Sequence, residues 1–232
     1  MELIWNGIVQ AFKLIFHLDS ELMNILWVTI RVSGTATLVS LLLGVPLGAL
    51  LGTWRFPGRS AALSIIHTGM GAPPVVVGLF VMIMLWRSGP LGGLNFLYTP
   101  WAMILAQTII AFPIITGFSM AAVAQIDPQL RQQLLGLGAS RIQALRAVVQ
   151  EARLPLLTAI MAGFGGAISE VGAVMMVGGN IKGETRVLTT ATVLESGKGE
   201  FGTAIALSVI LLLLVFGVIV GLTVLQQRNR IT

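Results

Sequence analysis

The chain has 232 residues, of which 56% are hydrophobic and only 10% are charged, and its mean hydropathy is +0.92. A soluble domain carries roughly 25% charged residues, so this composition excludes one and indicates a single membrane domain. Cysteine is absent, which excludes disulfides and thiolate metal sites, and the net charge of +5 is spread too thinly to indicate a nucleic-acid surface.

The N-terminal stretch, residues 3–16, is apolar but short, and polar residues such as Asn6 and Lys13 interrupt it. Its apolar side chains recur at helical spacing, at Ile4, Ile8, Ala11 and Ile15. This pattern favours an amphipathic helix at the membrane interface, with a sixth membrane span as the alternative. Residues 1–17 lack a basic start followed by a continuous apolar run, so no cleavable signal peptide is expected.

Five later segments are long and apolar enough to cross a membrane, which takes about 20 mainly apolar residues. They lie near residues 22–52, 61–86, 101–122, 156–177 and 204–224. The sequence therefore predicts an all-α polytopic membrane protein with five core transmembrane helices and an N-terminal interfacial helix.

The placement of basic residues predicts how these spans are oriented. With the N-terminus outside, eight arginines fall on the cytoplasmic side: Arg55, Arg59, Arg131, Arg141, Arg146, Arg153, Arg228 and Arg230. Five basic residues fall outside: Lys13, Arg87, Lys182, Arg186 and Lys198. This bias agrees with the positive-inside rule and predicts a cell-membrane protein with a cytoplasmic C-terminus.

Glycines are spaced by four residues in two of the predicted spans. Gly44, Gly48 and Gly52 lie in the first span, and Gly217 and Gly221 lie in the last. Because small residues let helix backbones approach closely, we expect both sets to pack against helices of the same chain.

Residues 127–155 form a polar, arginine-rich island between two predicted spans. Asp127 followed by Pro128 indicates a helix N-cap and first helical position. The first helix places Leu130, Leu134 and Leu137 on one face, and Gly138 is expected to end it in a left-handed conformation.

A second helix is predicted after this glycine. Ser140 with Gln143 resembles a capping box. The apolar face of the helix is expected to comprise Ile142, Leu145, Val149 and Ala152, with Pro155 at the return to the membrane. Such a helix pair either lies on the lipid headgroups or inserts into a groove of a partner protein, and the periodicity leaves both explanations open.

The island resembles the coupling loop of permease subunits of ABC importers. The similarity rests on Gly138-Ala139-Ser140-Arg141, then Arg146 and Leu154-Pro155, whereas Gln132-Gln133-Leu134 stands where the family favours Glu-Ala-Ala. The resemblance implies that the loop docks into a cytoplasmic ATP-binding subunit. The ATPase-coupling residues that it implies are Asp127, Leu134, Gly138, Ala139, Ser140, Arg141, Arg146 and Pro155.

The chain has no motif with which it could bind a nucleotide by itself. A G-x-x-x-x-G-K-[ST] sequence is absent, and the nearest string, Gly197-Lys198-Gly199, lacks the hydroxyl residue. We therefore expect a transport subunit rather than an enzyme, with no cofactor or metal of its own. ATP and Mg²⁺ would be bound by the partner subunit.

A second segment resembles the oxyanion permeases for molybdate, sulfate and tungstate, and most closely their tungstate branch. Ser169-Glu170-Val171-Gly172, followed by Gly178-Gly179-Asn180-Ile181, carries this similarity. The resemblance implies a type I ABC-importer fold and one permease domain, 1–232, with a coupling loop at 127–155. It also implies a homodimer, a separate ATPase and an extracellular binding protein. Molybdate or sulfate import and a non-transporting membrane anchor or assembly protein are the alternatives.

The candidate pathway or gate residues are Glu170, Gly172, Asn180, Lys182 and Arg186. An ionisable group within a span costs at least about 2.5–3.5 kcal/mol and is functional by default, although a structural bond to the backbone would also explain Glu170. Lys182 and Arg186 would attract an anion or bind the extracellular protein, with ordinary solvated loop charges as the alternative.

Overall fold

A computed structural model of the protein describes residues 2–17 and 19–228, and this part of the chain is helical throughout, without β-strands. Its helices are α1 Glu2–Phe16, α2 Ser20–Thr53, α3 Arg59–Met70, α4 Pro74–Leu85, α5 Pro100–Ala124, α6 Pro128–Gly136, α7 Arg141–Glu151, α8 Arg153–Ile168, α9 Gly172–Gly178, α10 Leu188–Gly197 and α11 Phe201–Arg228. A short 3₁₀ turn, Gly92–Leu94, lies between α4 and α5.

Three of the five predicted spans are confirmed as continuous helices. The helices α2, α5 and α11 are each long and apolar enough to cross a membrane. The predicted span 61–86 is instead two helices, α3 and α4, bent by 101°, and α7 and α8 form a second bent pair at 73°. By length and composition, the described residues therefore contain three candidate spans, or up to five if each bent pair counts as one.

The break between α3 and α4 has a local cause in the sequence. Gly71 closes α3, and Pro73 and Pro74 follow directly. Proline disfavours helical geometry in the residue before it, while Pro74 itself fits the first position of the next helix. The predicted span 61–86 is therefore interrupted at its two adjacent prolines, and it forms two helices that meet at a sharp bend.

The packing of α2 against α5 confirms the first of the two glycine predictions. A Cβ atom added at Gly48 would lie 2.5 Å from the Thr116 carbonyl oxygen, and one at Gly44 would lie 3.0 Å from Thr116 Oγ1. The second prediction was wrong, because a Cβ at Gly217 or Gly221 would meet no atom of the described chain within 4 Å. These two glycines of α11 therefore leave an open surface.

The N-terminal helix α1 packs along α11 and the start of α2. Ala11 is fully buried in a cluster with Leu22 and Leu207, and Gln10 Nε2 donates to Thr203 Oγ1 at 3.2 Å. Trp5 and Phe16 remain exposed on the other face. The predicted amphipathic helix is thus present, whereas its placement at the interface rather than across the membrane stays a prediction.

One helix was missed by the sequence reasoning. The predicted outer loop after residue 177 contains α10, whose N-terminal residues Leu188 and Ala191 are buried against α2 and α11. Its ten residues are too few and too polar to read as a span. Together with α9, this helix positions the candidate pathway segment described below.

Candidate coupling element and pathway segment

The polar island folds into two short helices, α6 and α7, and we call residues 127–155 the coupling element. Asp127 is the N-cap of α6, as predicted, because its Oδ1 accepts the backbone N–H of Gln129 at 2.9 Å. Pro128 occupies the first helical position. The missing N–H of proline costs nothing there, since the first N–H groups of a helix have no intrahelical partner.

Gly138 ends α6 in the left-handed conformation, with φ of +90°, as its sequence context predicted. The N–H of Ala139 donates to the Leu134 carbonyl at 3.0 Å, and the N–H of Gly138 donates to the Leu135 carbonyl at 3.1 Å. These two bonds form a Schellman motif, which satisfies carbonyls that the helix end would otherwise leave free. The angle between α6 and α7 therefore depends on this glycine.

The predicted capping box at the start of α7 is also confirmed. Ser140 Oγ accepts the N–H of Gln143 at 3.3 Å, and Gln143 Oε1 accepts the N–H of Ser140 at 2.7 Å. Both bonds join residues three apart in the sequence. The short helix α7 therefore begins at a position that local chemistry defines.

The inner face of α7 fastens the coupling element to the membrane helices. Val148 and Ala152 are buried in one cluster with Ala49 of α2 and Val123 of α5, and Ala144 of the same helix is also fully buried. This packing lies at the C-terminal ends of α2 and α5, which we call the coupling side of the molecule. A movement of α7 would therefore be transmitted directly to both long helices.

The outer tip of the coupling element carries part of the predicted apolar faces on the surface of the chain. Leu137 is 85% exposed and Ile142 is 62% exposed, so nothing in the described chain covers them. Leu134 and Ala139 are half-buried, and Ser140, Arg141 and Arg146 are exposed. The tip therefore presents two large apolar side chains beside two arginines, on either side of Gly138.

Pro155 lies inside the first turn of α8, immediately after the bend that separates α8 from α7. The helices meet at Ala152, which is the C-cap of α7 and also the N-cap of α8. The first N–H groups of a helix have no intrahelical acceptor, so the missing N–H of a proline is tolerated near a helix start. Pro155 therefore fits the return towards the membrane that the sequence predicted.

The predicted span 156–177 breaks at Ser169, Glu170 and Val171, which separate α8 from α9. We call residues 169–187 the pathway segment. Glu170 is buried at 9% exposure, and its Oε1 accepts the N–H of Ala173 at 2.9 Å. The carboxylate therefore caps the N-terminus of α9, where the helix dipole favours a negative charge. This arrangement is the structural explanation that the sequence had left open.

Gly172 packs where a larger residue would not fit. A Cβ atom there would lie 2.8 Å from Val75 Cγ2 and 3.5 Å from Glu170 Oε1. On the facing helix α4, Gly78 lies against Ala173, since a Cβ on Gly78 would lie 2.5 Å from the Ala173 Cα. The broken helix is thus held tightly against α4.

Asn180 follows α9 in a left-handed conformation, with φ of +51°. Its Oδ1 atom is buried, and no hydrogen-bond donor of the described residues reaches it. Two residues later the loop turns outwards, and Lys182 and Arg186 both contact Glu21 at the start of α2. The Lys182 Nζ to Glu21 Oε2 distance is 2.7 Å and the Arg186 Nη1 to Glu21 Oε1 distance is 3.3 Å.

Three threonines that the sequence reasoning did not single out hold the pathway segment in place. Thr189 Oγ1 donates to the Glu170 carbonyl at 3.1 Å, and Thr29 Oγ1 accepts the N–H of Leu188 at 3.0 Å. Thr185 Oγ1 accepts the N–H of Ile181 at 2.9 Å. Hydroxyl residues in an apolar segment are the signal that could have found them, because each buried hydroxyl needs a partner.

The structure therefore gathers the predicted site residues into two places. The eight coupling residues form one continuous element on the coupling side. In the pathway segment, Glu170 lies in the break between α8 and α9 and Gly172 begins α9, whereas Asn180, Lys182 and Arg186 lie beyond α9. In the described part of the chain, no group of three or more His, Asp or Glu side chains could hold a metal ion.

The long apolar helices indicate a multi-pass membrane protein, and its fold is that of type I ABC importers. A chain of the crystal structure of a bacterial ABC transporter involved in the import of the acidic polysaccharide alginate matches it with a TM-score of 0.75 and 18% identity, covering 94% of this chain and 83% of that one. At this identity the match shows the fold alone.

The chain belongs to the family described as binding-protein-dependent transport system inner membrane component, whose model matches residues 44–231. It is 46% identical to a probable anion ABC transporter permease protein of Haloferax volcanii, over 85% of this chain and 87% of the relative. It is 36% identical to the tungstate uptake system permease protein TupB of Peptoclostridium acidaminophilum, over 98% of this chain and 100% of that protein. The molybdenum transport system permease protein ModB of Escherichia coli K12 is 30% identical, over 80% and 88%.

Membership in this family makes the chain a transport component of the membrane rather than an enzyme. The ATPase activity of such importers resides in a separate subunit, and a substrate-binding protein is the further partner that the family description implies. These conclusions agree with the absence of a phosphate-binding loop in the sequence.

Proposed function

We propose that the chain is the permease subunit of an ATP-driven importer that moves an oxyanion, with tungstate favoured, from the extracellular side to the cytoplasm. Relatives named for tungstate, molybdenum and anion transport support this substrate class. The match to the tungstate permease extends over nearly the whole chain, whereas the match to the molybdenum permease is less complete. Molybdate or sulfate import is the second candidate.

The observation that carries the proposal is the geometry of the coupling element. Two capped helices meet at a left-handed glycine, expose Leu137 and Ile142 at the tip, and bury Val148 against α2 and α5. A partner groove would bury the exposed tip, and the packed inner face would carry the resulting movement to the membrane helices. In this proposal residues 127–155 bind the cytoplasmic ATPase subunit, which itself holds ATP and Mg²⁺.

We further propose a homodimer of single permease domains, 1–232, with the pathway between the two copies and the C-terminus in the cytoplasm. One described chain offers only three continuous spans and two bent pairs, which are too few to enclose a pathway comfortably. The open glycines of α11, Gly217 and Gly221, supply a surface without an internal partner. Glu170, Gly172 and Asn180 are then gate or pathway residues, and Lys182 and Arg186 face the extracellular binding protein.

A substitution at Gly138 tests whether the coupling element docks into the ATPase subunit. We expect Gly138→Glu to abolish co-purification of the ATPase subunit, because a residue with a Cβ is strained at φ of +90° and the charge lies at the docking tip. The matched control is Gly136→Ala in the last turn of α6, where a Cβ would meet no atom within 4 Å. ATPase binding that survives deletion of residues 129–150 would contradict the docking role and favour a non-transporting membrane anchor.

Substrate identity needs a separate experiment. Uptake into proteoliposomes that contain the complete transporter and its binding protein should be measured with tungstate, molybdate and sulfate in turn. We expect tungstate to give the highest ratio of maximal rate to half-saturating concentration. A preference for molybdate or sulfate would move the assignment to the second candidate and leave the coupling role intact.

A further inference from the structure

A cavity of about 310 Å³ opens on the coupling side, between the loop that joins α2 to α3 and the start of the coupling element. We call it the arginine cavity. Trp54 and Arg55 line it from the α2–α3 loop, Arg59 lines it from the start of α3, and Asp127 and Arg131 line it from the coupling element. It is far along the chain from the pathway segment, and neither sequence resemblance assigns a role to Trp54, Arg55, Arg59 or Arg131.

The charge of this cavity is unbalanced. Three arginines and one aspartate give a sum of +3 and −1, a surplus of two positive charges, in a pocket at the end of apolar helices. Among the described residues no carboxylate lies within 4.0 Å of Arg55, Arg59 or Arg131 in an ion pair. The Asp127 carboxylate is already bonded to the N–H of Gln129. Like charges gathered without a counter-charge repel one another, so the cavity favours an anion.

Two hydrogen-bond donors of the cavity lack an acceptor. The indole Nε1 of Trp54 and the Nε of Arg131 are both buried from solvent, and neither has a hydrogen-bond partner in the described chain. In native proteins the great majority of buried donors have a hydrogen-bond acceptor. A buried donor without an acceptor costs free energy, and the cost is higher for a charged group. Two such donors from different elements, lining one cavity, therefore point to a shared acceptor that comes from outside the chain.

Arg59 is held so that it can contribute to the same acceptor. Its Nε donates to the Leu51 carbonyl at 2.9 Å, which fixes the guanidinium at the end of α2. An arginine has five N–H groups in a rigid fork, so the N–H groups on the two terminal nitrogens of Arg59 remain available to donate to another acceptor. A fork of this kind matches the oxygen geometry of a phosphate-like group, with two parallel hydrogen bonds.

We propose that the arginine cavity binds a tetrahedral oxyanion group, held by Arg59, Arg131 and the indole N–H of Trp54. The group is carried either by the headgroup of an anionic phospholipid or by a free oxyanion in solution. In both cases it would bridge the α2–α3 loop and the first helix of the coupling element. Occupancy would then stabilise that helix, Pro128–Gly136, in its present position. The inference goes beyond the proposed transport function and is independent of which oxyanion is carried.

The test uses the full-length permease and measures thermal unfolding in two arms. In the first arm, inorganic phosphate is titrated into protein in an uncharged detergent. In the second arm, the protein is placed in nanodiscs of phosphatidylcholine with increasing phosphatidylglycerol. The variants are the double substitution Arg59→Gln with Arg131→Gln, and Trp54→Phe, which keeps the ring and removes the donor. Arg153→Gln is the matched control, because Arg153 is an exposed arginine of the same element that does not line the cavity.

We expect the double variant to weaken the stabilising effect of the anion by about tenfold or more, since hydrogen bonds to charged groups are strong. Trp54→Phe should weaken it by roughly threefold and Arg153→Gln by less than about twofold. Stabilisation by phosphatidylglycerol alone identifies a lipid headgroup, and stabilisation by phosphate in detergent identifies a free oxyanion. The proposal is overturned by no stabilisation in either arm, by an unaffected double variant, or by equal losses in the double variant and the Arg153→Gln control.

Discussion

The coupling element and the pathway segment are both polar interruptions of an apolar chain, but different interactions hold them. In the coupling element the bonds of Asp127, Gly138 and Ser140 join residues no more than five positions apart. The pathway segment is held from α10, whose Thr189 bonds to residue 170 and whose Leu188 bonds to residue 29. The first region is therefore defined by its own sequence, whereas the second depends on helices that approach it from elsewhere in the chain.

The largest loss of stability is expected for Gly78→Ala, which disrupts the contact between α4 and the pathway segment. A Cβ at Gly78 would lie 2.5 Å from the Ala173 Cα, so α4 and α9 must separate. Overpacking of this kind costs about 3 kcal/mol of unfolding free energy. Thermal unfolding of the purified permease measures the loss, and Gly34→Ala in α2, where a Cβ would meet no atom within 4 Å, is the control. Equal unfolding temperatures would contradict the close approach.

A smaller loss, about 2 kcal/mol, is expected for Glu170→Ala, because the buried N–H of Ala173 loses its acceptor. Glu170→Gln keeps an acceptor oxygen at the same place and should retain most of the stability. The comparison of the two variants separates the hydrogen bond from the charge. If Glu170→Gln unfolds normally yet no longer supports uptake, the negative charge has a role in transport beyond capping α9.

Ser140→Ala removes the side-chain cap at the start of α7, one of the short-range interactions of the coupling element. The loss of an N-cap hydroxyl costs about 1 kcal/mol, and the effect should be confined to α7 and its docking tip. Ser140→Asp supplies an alternative cap and should restore stability. Affinity for the ATPase subunit, measured beside thermal unfolding, tells whether the start of α7 matters for docking. A full loss of fold on Ser140→Ala would show that the element is less independent than its short-range bonds indicate.

The smallest change is expected for Lys182→Gln, which breaks one exposed ion pair with Glu21. Surface ion pairs contribute about 0.5 kcal/mol, and salt screens them. Uptake by the Lys182→Gln, Arg186→Gln double variant at low and high ionic strength adds a functional measurement. A deficit that grows at low ionic strength supports attraction of an anion or of the binding protein. Unchanged uptake at both ionic strengths leaves the two residues as a surface contact with Glu21.

The outcomes of the two glycine patterns show where sequence reasoning has its limit. Gly48 of α2 packs against Thr116 as expected, whereas Gly217 of α11 lies on an open surface although its spacing is similar. The spacing of small residues indicates that another helix can pack closely against this one, but it does not indicate which helix does so.

Composition and hydropathy by themselves determined a membrane protein, and local capping chemistry determined the two helices of the coupling element. Both conclusions depend on residues that interact within one turn of helix or with the surrounding lipid. The tertiary structure alone decided the break at Glu170, the helix α10 and the arginine cavity. The residues that meet there lie far apart in the sequence: Thr29 bonds to Leu188, and Trp54 lines the same cavity as Arg131. The hydropathy and spacing patterns of the sequence cannot predict such pairs, because the residues come together only when the helices pack in the folded protein.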